Sequence, residues 1–307
     1  MNKHTDRFSG NSDNLPPGFT IDTLENTSFQ QIYSCFQTAF SDYLLDISGL
    51  TQSRLITRCR KNNYNPLLSL GLFADKELMG FSLTGIEPHG DRLDSFDIAT
   101  GLVPAFRGRG FAQIMFGDLT RKLRIKRVNR FSLEVIQENT PALMLYSKAG
   151  MQITRQVTCY QIDREEIPPP GNTTGLSIRP AMVEDWPRIE SFFDWRPSWE
   201  NRIEVVQCIP DELDLWWALK GDKVIGGLAF QPDVEWILQL AVDPEWRRQG
   251  VASALLWQLA QHHADSISKY KMINVWDEDQ GMDGFIQSLH GEIIVRQYEM
   301  AADLSAD

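Results

Sequence analysis

The amino-acid sequence predicts a duplicated α/β fold, in which two successive domains each pack helices against a sheet. Its 307 residues are enough for two domains of about 150 residues each. The turn Arg-x-x-Gly-x-Ala follows an apolar segment twice, at residues 107–112 and 247–252. Two pairs of glycines, Gly110 with Gly250 and Gly150 with Gly291, keep the same spacing to within one residue. A period of almost half the chain indicates a duplicated domain and excludes a solenoid.

A proline-rich segment separates the two predicted domains. Residues 164–175 read REEIPPPGNTTG, which cannot continue a helix or a central strand, so we expect a linker there. The first 16 residues are polar and are expected to form a disordered tail. The sequence therefore predicts a tail over residues 1–16, a first domain over 17–163, a linker over 164–175 and a second domain over 176–307.

The hydrophobic pattern gives the order of elements in the first domain. Ile32, Phe36 and Phe40 recur at helical spacing and predict a helix over residues 28–40. The other predicted elements are a strand over 19–21, a helix over 51–60, strands over 67–73, 78–86 and 92–103, a helix over 110–126, a strand over 131–135, a helix over 141–149 and a strand pair through 151–162.

The second domain repeats this order. The predicted elements are a strand over 176–179, a helix over 183–192, strands over 213–220, 223–230 and 236–242, a helix over 250–264, a strand over 272–275, a helix over 283–289 and a strand over 291–300. In both domains the repeated turn therefore lies between an apolar strand and an amphipathic helix.

Composition narrows the compartment and the partners. Residues 1–165 carry a net charge of +2, whereas residues 166–307 carry −13, and so acidic a half argues against a nucleic-acid partner. No apolar run approaches the ~20 residues of a membrane span, and the first residues lack the apolar core of a signal peptide. The four cysteines are scattered without a CxxC pair. We expect a cytoplasmic protein without a membrane partner.

The repeated turn has the features of a phosphate-binding loop. The first turn of a helix exposes N–H groups and a partial positive charge, and small residues let a pyrophosphate approach the backbone. Other phosphate loops do not fit. Neither copy contains the Gly-Lys-Ser/Thr end of a Walker A motif, and Gln113 stands where a GxGxxG motif needs its third glycine.

Both turns resemble the coenzyme A pyrophosphate loop of the GNAT superfamily of N-acetyltransferases, whose pattern is Gln/Arg-x-x-Gly-x-Gly/Ala. The resemblance implies two tandem GNAT folds, each a mixed, mostly antiparallel sheet flanked by helices, and acetyl-CoA as the acetyl donor. The residues it implies for cofactor binding in the first domain are Leu102, Val103, Arg107, Gly108, Arg109, Gly110, Phe111 and Ala112. Those in the second are Ala241, Val242, Arg247, Arg248, Gln249, Gly250, Val251 and Ala252.

A second GNAT-like motif occurs in the first domain only. Asn139, Ala142, Tyr146 and Gly150 fall on the positions of the superfamily's next strand–helix segment. The resemblance implies that Asn139 contacts the pantetheine arm and that Tyr146 protonates the leaving thiolate. In the second domain, aligning Gly291 with Gly150 places Gln287 at the Tyr146 position, and Gln280 or a neighbour at the Asn139 position. The second domain is therefore expected to bind CoA without catalysis or to act as a structural partner.

The acceptor amine is mostly protonated at neutral pH, so the reaction needs a base. The candidates are Asp94 and Asp97 on the strand before the loop and Glu134 on the strand after its helix, and we favour Glu134 and Asp97. Strand alternation places the two aspartates on opposite faces. The resemblance also implies that a backbone N–H within residues 101–103 polarises the acetyl carbonyl.

Two classes of function remain open. The first is an acetyl-CoA-dependent N-acetyltransferase that acts on a primary amine of a small molecule or peptide, with catalysis in the first domain. The second is a non-catalytic acyl-CoA-binding, sensing or scaffold protein with a degenerate second domain. We expect a monomer with an internal pseudo-dimer, or a homodimer. No metal is expected, since His262 and His263 lie in a predicted helix, where adjacent side chains diverge.

Overall fold

The computed structural model describes residues 15–171 and 174–305, and these residues form two compact units. Unit 1 comprises the described parts of Met1–Thr154 and Tyr298–Asp307, and unit 2 the described part of Arg155–Gln297. Most of the predicted tail, residues 1–14, lies outside the described residues. Within the described ranges, no helix is long and apolar enough to cross a membrane.

The helices and strands follow the predicted order in both halves of the chain, apart from one further short helix, Ile203–Cys208, in the second half. The strands are β1 (Phe19–Thr23), β2 (Leu70–Ala74), β3 (Glu77–His89), β4 (Arg92–Leu102), β5 (Arg130–Ile136), β6 (Gln152–Asp163), β7 (Leu176–Pro180), β8 (Asp214–Lys220), β9 (Lys223–Gln231), β10 (Trp236–Val242), β11 (Lys269–Trp276) and β12 (Glu292–Asp303). The α-helices are α1 (Phe29–Ala39), α2 (Gln52–Lys61), α3 (Phe111–Ile125), α4 (Thr140–Lys148), α5 (Ile203–Cys208), α6 (Val251–His262) and α7 (Gln280–Gln287).

Unit 1 contains a mixed sheet in the order β1-β2-β3-β4-β5, followed by the part of β12 from Tyr298 onward. The pairs from β1 to β4 are antiparallel, and β4 with β5 is parallel. The apolar faces of α3 and α4 pack on the sheet, where Phe116 and Tyr146 join Phe131 in one core cluster. A capping box between Ser28 and Gln31 begins α1, as the sequence pattern there requires.

Unit 2 contains a mixed sheet in the order β6-β11-β10-β9-β8-β7, where β6 contributes from Arg155 onward. Among the strand pairs that the structure describes in this unit, β10–β11 alone is parallel. The helix predicted over 183–192 is a 3-10 segment, Val183–Phe192, with Pro187 inside it. Proline has no N–H to donate and therefore disfavours an α-helix there. The prediction of a duplicated α/β fold with mixed, mostly antiparallel sheets is confirmed.

The two units do not follow the predicted domain boundaries. The chain from Arg155 onward, predicted to end the first domain as part of a strand pair, is most of the single strand β6 in unit 2. Tyr298–Asp307, predicted in the second domain, belongs to unit 1. There Thr154 Oγ1 donates to the carbonyl of Glu299 over 3.1 Å, and Leu304 N–H donates to Asn129 over 2.7 Å. Each unit thus takes a strand from the other half of the chain.

Candidate active site

In unit 1 the two central strands separate part-way along their length. β4 and β5 pair in parallel at only three positions, of which the last is Phe96 with Ser132. Ile98 forms a β-bulge at this point, because the register between β3 and β4 shifts by one residue there. Both strands continue past the last pair, β4 to Leu102 and β5 to Ile136. A cleft therefore opens between their carboxyl ends.

The turn after β4 gives α3 an N-terminus suited to an anion. Gly108 and Gly110 have φ values of 72° and 83°, in the left-handed region that favours glycine. A Cβ at either residue would meet no atom within 4 Å, so the backbone angle, not space, requires glycine. Across the described chain, the N–H groups of Gly108–Ala112 donate no backbone hydrogen bond. They form a cradle at the positive end of the helix.

Arg107 fixes this loop to the end of α1. Its guanidinium donates to both oxygens of Asp42, over 2.7 and 2.8 Å, and to the carbonyl of Ala39 over 2.6 Å. Its Nε donates to the carbonyl of Leu102 over 3.1 Å. The guanidinium also lowers the pKa of the Asp42 carboxyl. The side chain of Arg107 therefore positions the cradle, and its guanidinium is directed at protein groups.

The other predicted residues of the first loop have distinct environments. Val103 N–H donates to the carbonyl of Met79 over 2.9 Å, which directs it to β3. Because successive N–H groups of a strand point to opposite edges, the N–H of Leu102 faces the cleft. Arg109 lies 5.6 Å from the centre of the Phe106 ring. Two further predicted residues follow: Phe111 is buried and Ala112 is half-buried at the start of α3.

Tyr146 and Asp97 meet in a buried polar cluster. The Tyr146 hydroxyl lies 3.5 Å from Asp97 Oδ2. Thr100 Oγ1 lies 2.8 Å from each oxygen of Asp97, and Ser82 Oγ lies 3.2 Å from Oδ1. Tyr146 is 7% exposed and Asp97 6%. The predicted acid and one of the two favoured bases are therefore in contact.

Burial dominates the ionisation of this pair. It raises the pKa of Asp97 to about 6, although hydrogen bonds from Thr100, Ser82 and Tyr146 act in the opposite direction. Burial also holds the pKa of Tyr146 well above its usual range, and the charge of Asp97 adds to this effect. At neutral pH the tyrosine is a proton donor beside a carboxylate that can accept a proton.

The remaining first-domain candidates lie outside this cluster. Glu134 is half-buried on β5, two residues beyond the last pair with β4, and Asp94 lies 3.9 Å from Arg92. The hydrogen bonds of Asp97 go to other groups, so neither acid is bonded to it. Asn139 is the N-cap of α4, where its Oδ1 accepts from the N–H of Ala142 over 3.3 Å. The side-chain oxygen of Asn139 is therefore used to cap the helix.

Unit 2 repeats the loop and its fixation. Gly250 has φ 80°, and Arg248 adopts φ 61° at the position of Gly108. Arg247 pairs with Asp194, donates to the carbonyl of Phe192 over 2.9 Å and donates through Nε to that of Val242 over 3.2 Å. The remaining predicted residues of this loop, from β10 into α6, are Ala241, Gln249, Val251 and Ala252. The geometry of both predicted loops is thus the same.

Comparison with known proteins identifies the family. A model of the acetyltransferase (GNAT) family matches residues 28–151 and 179–291. The chain belongs to this family. The uncharacterized N-acetyltransferase YdgE of Bacillus subtilis (strain 168) is 33% identical over 78 residues, 25% of this chain and 50% of YdgE. The uncharacterized N-acetyltransferase YycN of the same strain is 29% identical over 100 residues, 33% of this chain and 64% of YycN. The chain thus spans less than two thirds of either relative.

Solved structures show that the tandem GNAT arrangement extends over most of the chain. A GCN5-related N-acetyltransferase from Sphaerobacter thermophilus has a TM-score of 0.71 at 15% identity, and the match covers 94% of this chain and 97% of that one. A tandem GNAT protein from the clavulanic acid biosynthesis pathway has a TM-score of 0.70 at 12% identity, covering 94% and 99%. At these identities the similarity concerns the fold, and the predicted GNAT fold is confirmed.

From β4 and β10 onward, the two GNAT units keep one constant spacing, which is that between Gly110 and Gly250. At this spacing the N-cap of α7, Asp279, takes the place of Asn139, and the left-handed residue that ends the last helix, His290, takes the place of Gly150. The alignment of Gly150 with Gly291 is therefore wrong by one residue. A left-handed conformation is most often adopted by glycine, and the histidine at this position concealed the register. The correct counterpart of Tyr146 is therefore Ile286, not Gln287. The counterpart of Asn139 is Asp279, a neighbour of Gln280, which the prediction had left open.

In unit 2 every member of the polar cluster has an aliphatic counterpart. Asp97 and Thr100 correspond to Ile237 and Leu240, because the bulges at Ile98 and Leu238 are separated by the same constant spacing. Ser82 pairs with Thr100 as Leu228 pairs with Leu240. The four counterparts, Leu228, Ile237, Leu240 and Ile286, belong to one buried apolar cluster. Unit 2 therefore has the GNAT fold without a proton donor or acceptor at this place.

Sequence reasoning missed the residues that support Tyr146 and Arg107. Ser82 and Thr100 face each other across β3 and β4, and Asp42 lies 65 residues before its partner. Hydroxyl groups on neighbouring strands before the loop are the only local signal for the cluster. The bulge that turns Asp97 and Thr100 to one side is not visible in the sequence pattern.

The histidine pair of unit 2 also departs from expectation. The rings of His262 and His263 do not diverge, since their centres lie 4.8 Å apart. His263 is the C-cap of α6 and has left the helical conformation, with φ −107° and ψ 24°. The ligand atoms of both histidines and of Asp214 lie within 4.8 Å of one another.

Proposed function

We propose that this chain is an acetyl-CoA-dependent N-acetyltransferase with its catalytic cleft in unit 1, which acts on a primary amine of a small molecule or peptide. The contact between Tyr146 and Asp97 beside the opening of β4 and β5 is the observation that carries this proposal. A protein that only bound acyl-CoA would have no use for a buried donor–acceptor pair there. Family membership supports the reaction class.

The residues of unit 1 fit a coenzyme A thioester. The N–H groups of Gly108–Ala112 are placed to receive a pyrophosphate, and Arg107 holds them in position. The N–H of Leu102 faces the cleft and is placed to donate to the acetyl carbonyl or the arm that carries it. Acetyl-CoA, when bound, supplies an activated acetyl group to the cleft. The committed Oδ1 of Asn139 leaves its amide N–H as the group for contact with the arm.

The proton balance is met by the same pair of residues. After the ammonium form has released one proton to solvent, the neutral amine forms the new C–N bond and must lose a second proton, while the departing sulfur must gain one as the C–S bond breaks. Asp97 accepts the proton from the amine side, directly or through Thr100, and Tyr146 donates its proton to the thiolate. Because the two groups are in contact, Asp97 then returns a proton to Tyr146. Glu134 remains a second candidate base.

Replacement of Tyr146 by phenylalanine tests this function. An acetyl-transfer assay against a panel of amines, aminoglycosides and peptides identifies the acceptor, and calorimetry measures acetyl-CoA binding. Loss of a general acid lowers a rate by about 10²–10⁴, so Tyr146→Phe is expected to reduce kcat by that amount. The Kd for acetyl-CoA is expected to stay within about threefold, because the phenol acts in the transition state.

A matched control separates chemistry from packing. Tyr33, whose hydroxyl donates to the carbonyl of Leu50 over 3.1 Å, lies on α1 outside the cluster, and Tyr33→Phe is expected to keep full turnover. An equal loss of binding and turnover in Tyr146→Phe removes Tyr146 from the acid role. Failure of the native chain to bind acetyl-CoA refutes the proposed function. The cytoplasmic location and oligomeric state stay predictions.

A further inference from the structure

The cleft of unit 1 has a counterpart in unit 2, and the two differ in what lies beside them. β10 and β11 pair in parallel only up to Ile237 with Met272, although both strands continue. On β4 the residues after the bulge, Ala99–Gly101, are half-buried. On β10 the corresponding Gln239–Ala241 are buried. The strand residues beside the second cleft are therefore more deeply covered than those beside the first.

The cover is a segment of unit 2 itself, residues 198–202. All five side chains are at most 7% exposed, although their sequence, SWENR, is almost entirely polar. Trp199–Asn201 form a 3-10 turn. The Nδ2 of Asn201 donates to the carbonyl of Ile273 on β11 over 2.7 Å, and its carbonyl accepts from Gln239 Nε2 on β10 over 2.7 Å. One residue therefore bridges both edges of the cleft.

Further buried bonds hold this segment in place. Gln239 Oε1 accepts from the indole N–H of Trp186 over 2.6 Å. Asn274 on β11 has a left-handed φ of 54°, and its Nδ2 donates to Ser198 Oγ over 3.3 Å. A ligand entering here must break these bonds and leave buried amides unsatisfied, which is costly. In unit 1 the residue that follows the bulge is Ala99, which offers no amide for such a bridge.

We propose that residues 198–202 permanently close the second cleft, so that the chain has a single acyl-transfer cleft and binds one acetyl-CoA. A coenzyme A molecule at the second phosphate loop then cannot place its pantetheine arm between β10 and β11. An acceptor amine cannot enter this cleft either. This inference rests on the proposed function of unit 1. Of the two alternatives for unit 2, it excludes a CoA site without catalysis and favours a structural partner.

Calorimetric stoichiometry with two matched variants tests the closed cleft. Gln113 and Ser253 are the third residues of α3 and α6, beside each loop. A glutamate there suits the helix start but repels a phosphate. The native chain is expected to bind one acetyl-CoA, Gln113→Glu to weaken this binding at least about tenfold, and Ser253→Glu to leave affinity and stoichiometry unchanged.

The outcomes distinguish the two proposals. Two equivalents of acetyl-CoA per native chain, or a loss of binding in Ser253→Glu, overturn the closed cleft while unit 1 keeps its function. No binding at all refutes the proposed function instead. A third variant, Gln239→Ala, introduces the residue that unit 1 has at this position, Ala99. It removes the hydrogen bonds of Gln239 with Trp186 and Asn201. Faster hydrogen exchange over residues 198–202 is expected, and unchanged exchange contradicts the role of the bridge.

A second inference concerns the far end of α6 from its phosphate loop. Asp214 begins β8, and its Oδ2 lies 2.7 Å from Nε2 of His263. His262 is exposed and its ring centre lies 5.3 Å from that of Trp216. Two imidazoles and a carboxylate whose ligand atoms all lie within 4.8 Å form a donor set that suits Zn²⁺ with a water as fourth ligand.

The geometry points to a site for a divalent transition metal at Asp214, His262 and His263. A tag-free chain titrated with ZnCl₂ is expected to bind one Zn²⁺, His263→Ala to abolish this binding and His262→Ala to weaken it at least about tenfold. Co²⁺ bound there should quench the fluorescence of nearby Trp216. His290→Ala is the control, since His290 is exposed in unit 2 outside the cluster. No stoichiometric binding, or equal binding in His263→Ala, overturns this assignment.

Discussion

The buried carboxyl of Asp97 offers a quantitative test, because its proposed function carries a cost in stability. Its pKa rises from 3.8 to about 6 in the folded chain. A shift of about two units corresponds to about 3 kcal/mol of unfavourable interaction for the charged form at neutral pH. Asp97→Asn removes the charge and keeps the shape. The hydroxyl groups of Ser82 and Thr100 donate less favourably to an amide than to a carboxylate, which costs about 1 kcal/mol.

The sign of the effect depends on pH in a defined way. A carboxyl whose folded pKa lies above its unfolded pKa weakens the fold wherever the group is ionised in both states. The cost from Asp97 is therefore absent below about pH 4, grows between about pH 4 and 6 and is complete above that. Relative to the native chain, Asp97→Asn is expected to gain about 3 kcal/mol between pH 4 and 7. After the loss in hydrogen bonding is subtracted, the net gain at pH 7 is about 2 kcal/mol.

Urea unfolding followed by circular dichroism at several pH values measures this difference. Circular dichroism is needed because all nine tryptophans lie in unit 2, so their fluorescence does not report directly on unit 1. Asp91→Asn, an exposed carboxyl in the turn between β3 and β4, is the control for the change in net charge. A difference between Asp97→Asn and the native chain that does not vary with pH would refute the reasoning. The same variant should lose at least about 100-fold in kcat.

Further predictions concern the pH profile and the loop. The kcat/KM of the native chain should rise through about pH 6, as Asp97 ionises, and a profile flat between pH 5 and 7 excludes it as the base. Arg107→Lys replaces a bidentate fork by a point charge and should raise the KM for acetyl-CoA several-fold; an unchanged KM contradicts the positioning role. Gly108→Ala should cost about 1–2 kcal/mol in urea unfolding, a tolerable strain since Arg248 adopts the same conformation. Ser28→Ala should cost about 1 kcal/mol by removing the capping box, with kcat unchanged.

The order of elements and the two helix N-termini could be predicted because each depends on local signals. Apolar periodicity and a glycine between strand and helix are visible within a single strand–turn–helix segment. The partner of Arg107 could not be predicted, because Asp42 lies far from it in the sequence and is one of many acidic residues in the chain. The exchange of strands between the halves was equally hidden, because β6 follows α4 directly and nothing in its pattern indicates which sheet it joins. The bulge at Ile98 could not be predicted either, because no feature of the sequence pattern marks it.

The arginine that begins each loop has a structural explanation that the motif alone does not suggest. Arg107 and Arg247 make the same contacts, to an aspartate and to carbonyls on either side of the loop. These contacts hold the loop through groups of the protein itself. Where the chemistry would need polar groups, unit 2 has Ile237 and Ile286, which pack in its apolar core. The loop motif therefore indicates the fold of a unit. Whether that unit can transfer a proton depends on the residues at the positions of Asp97 and Tyr146.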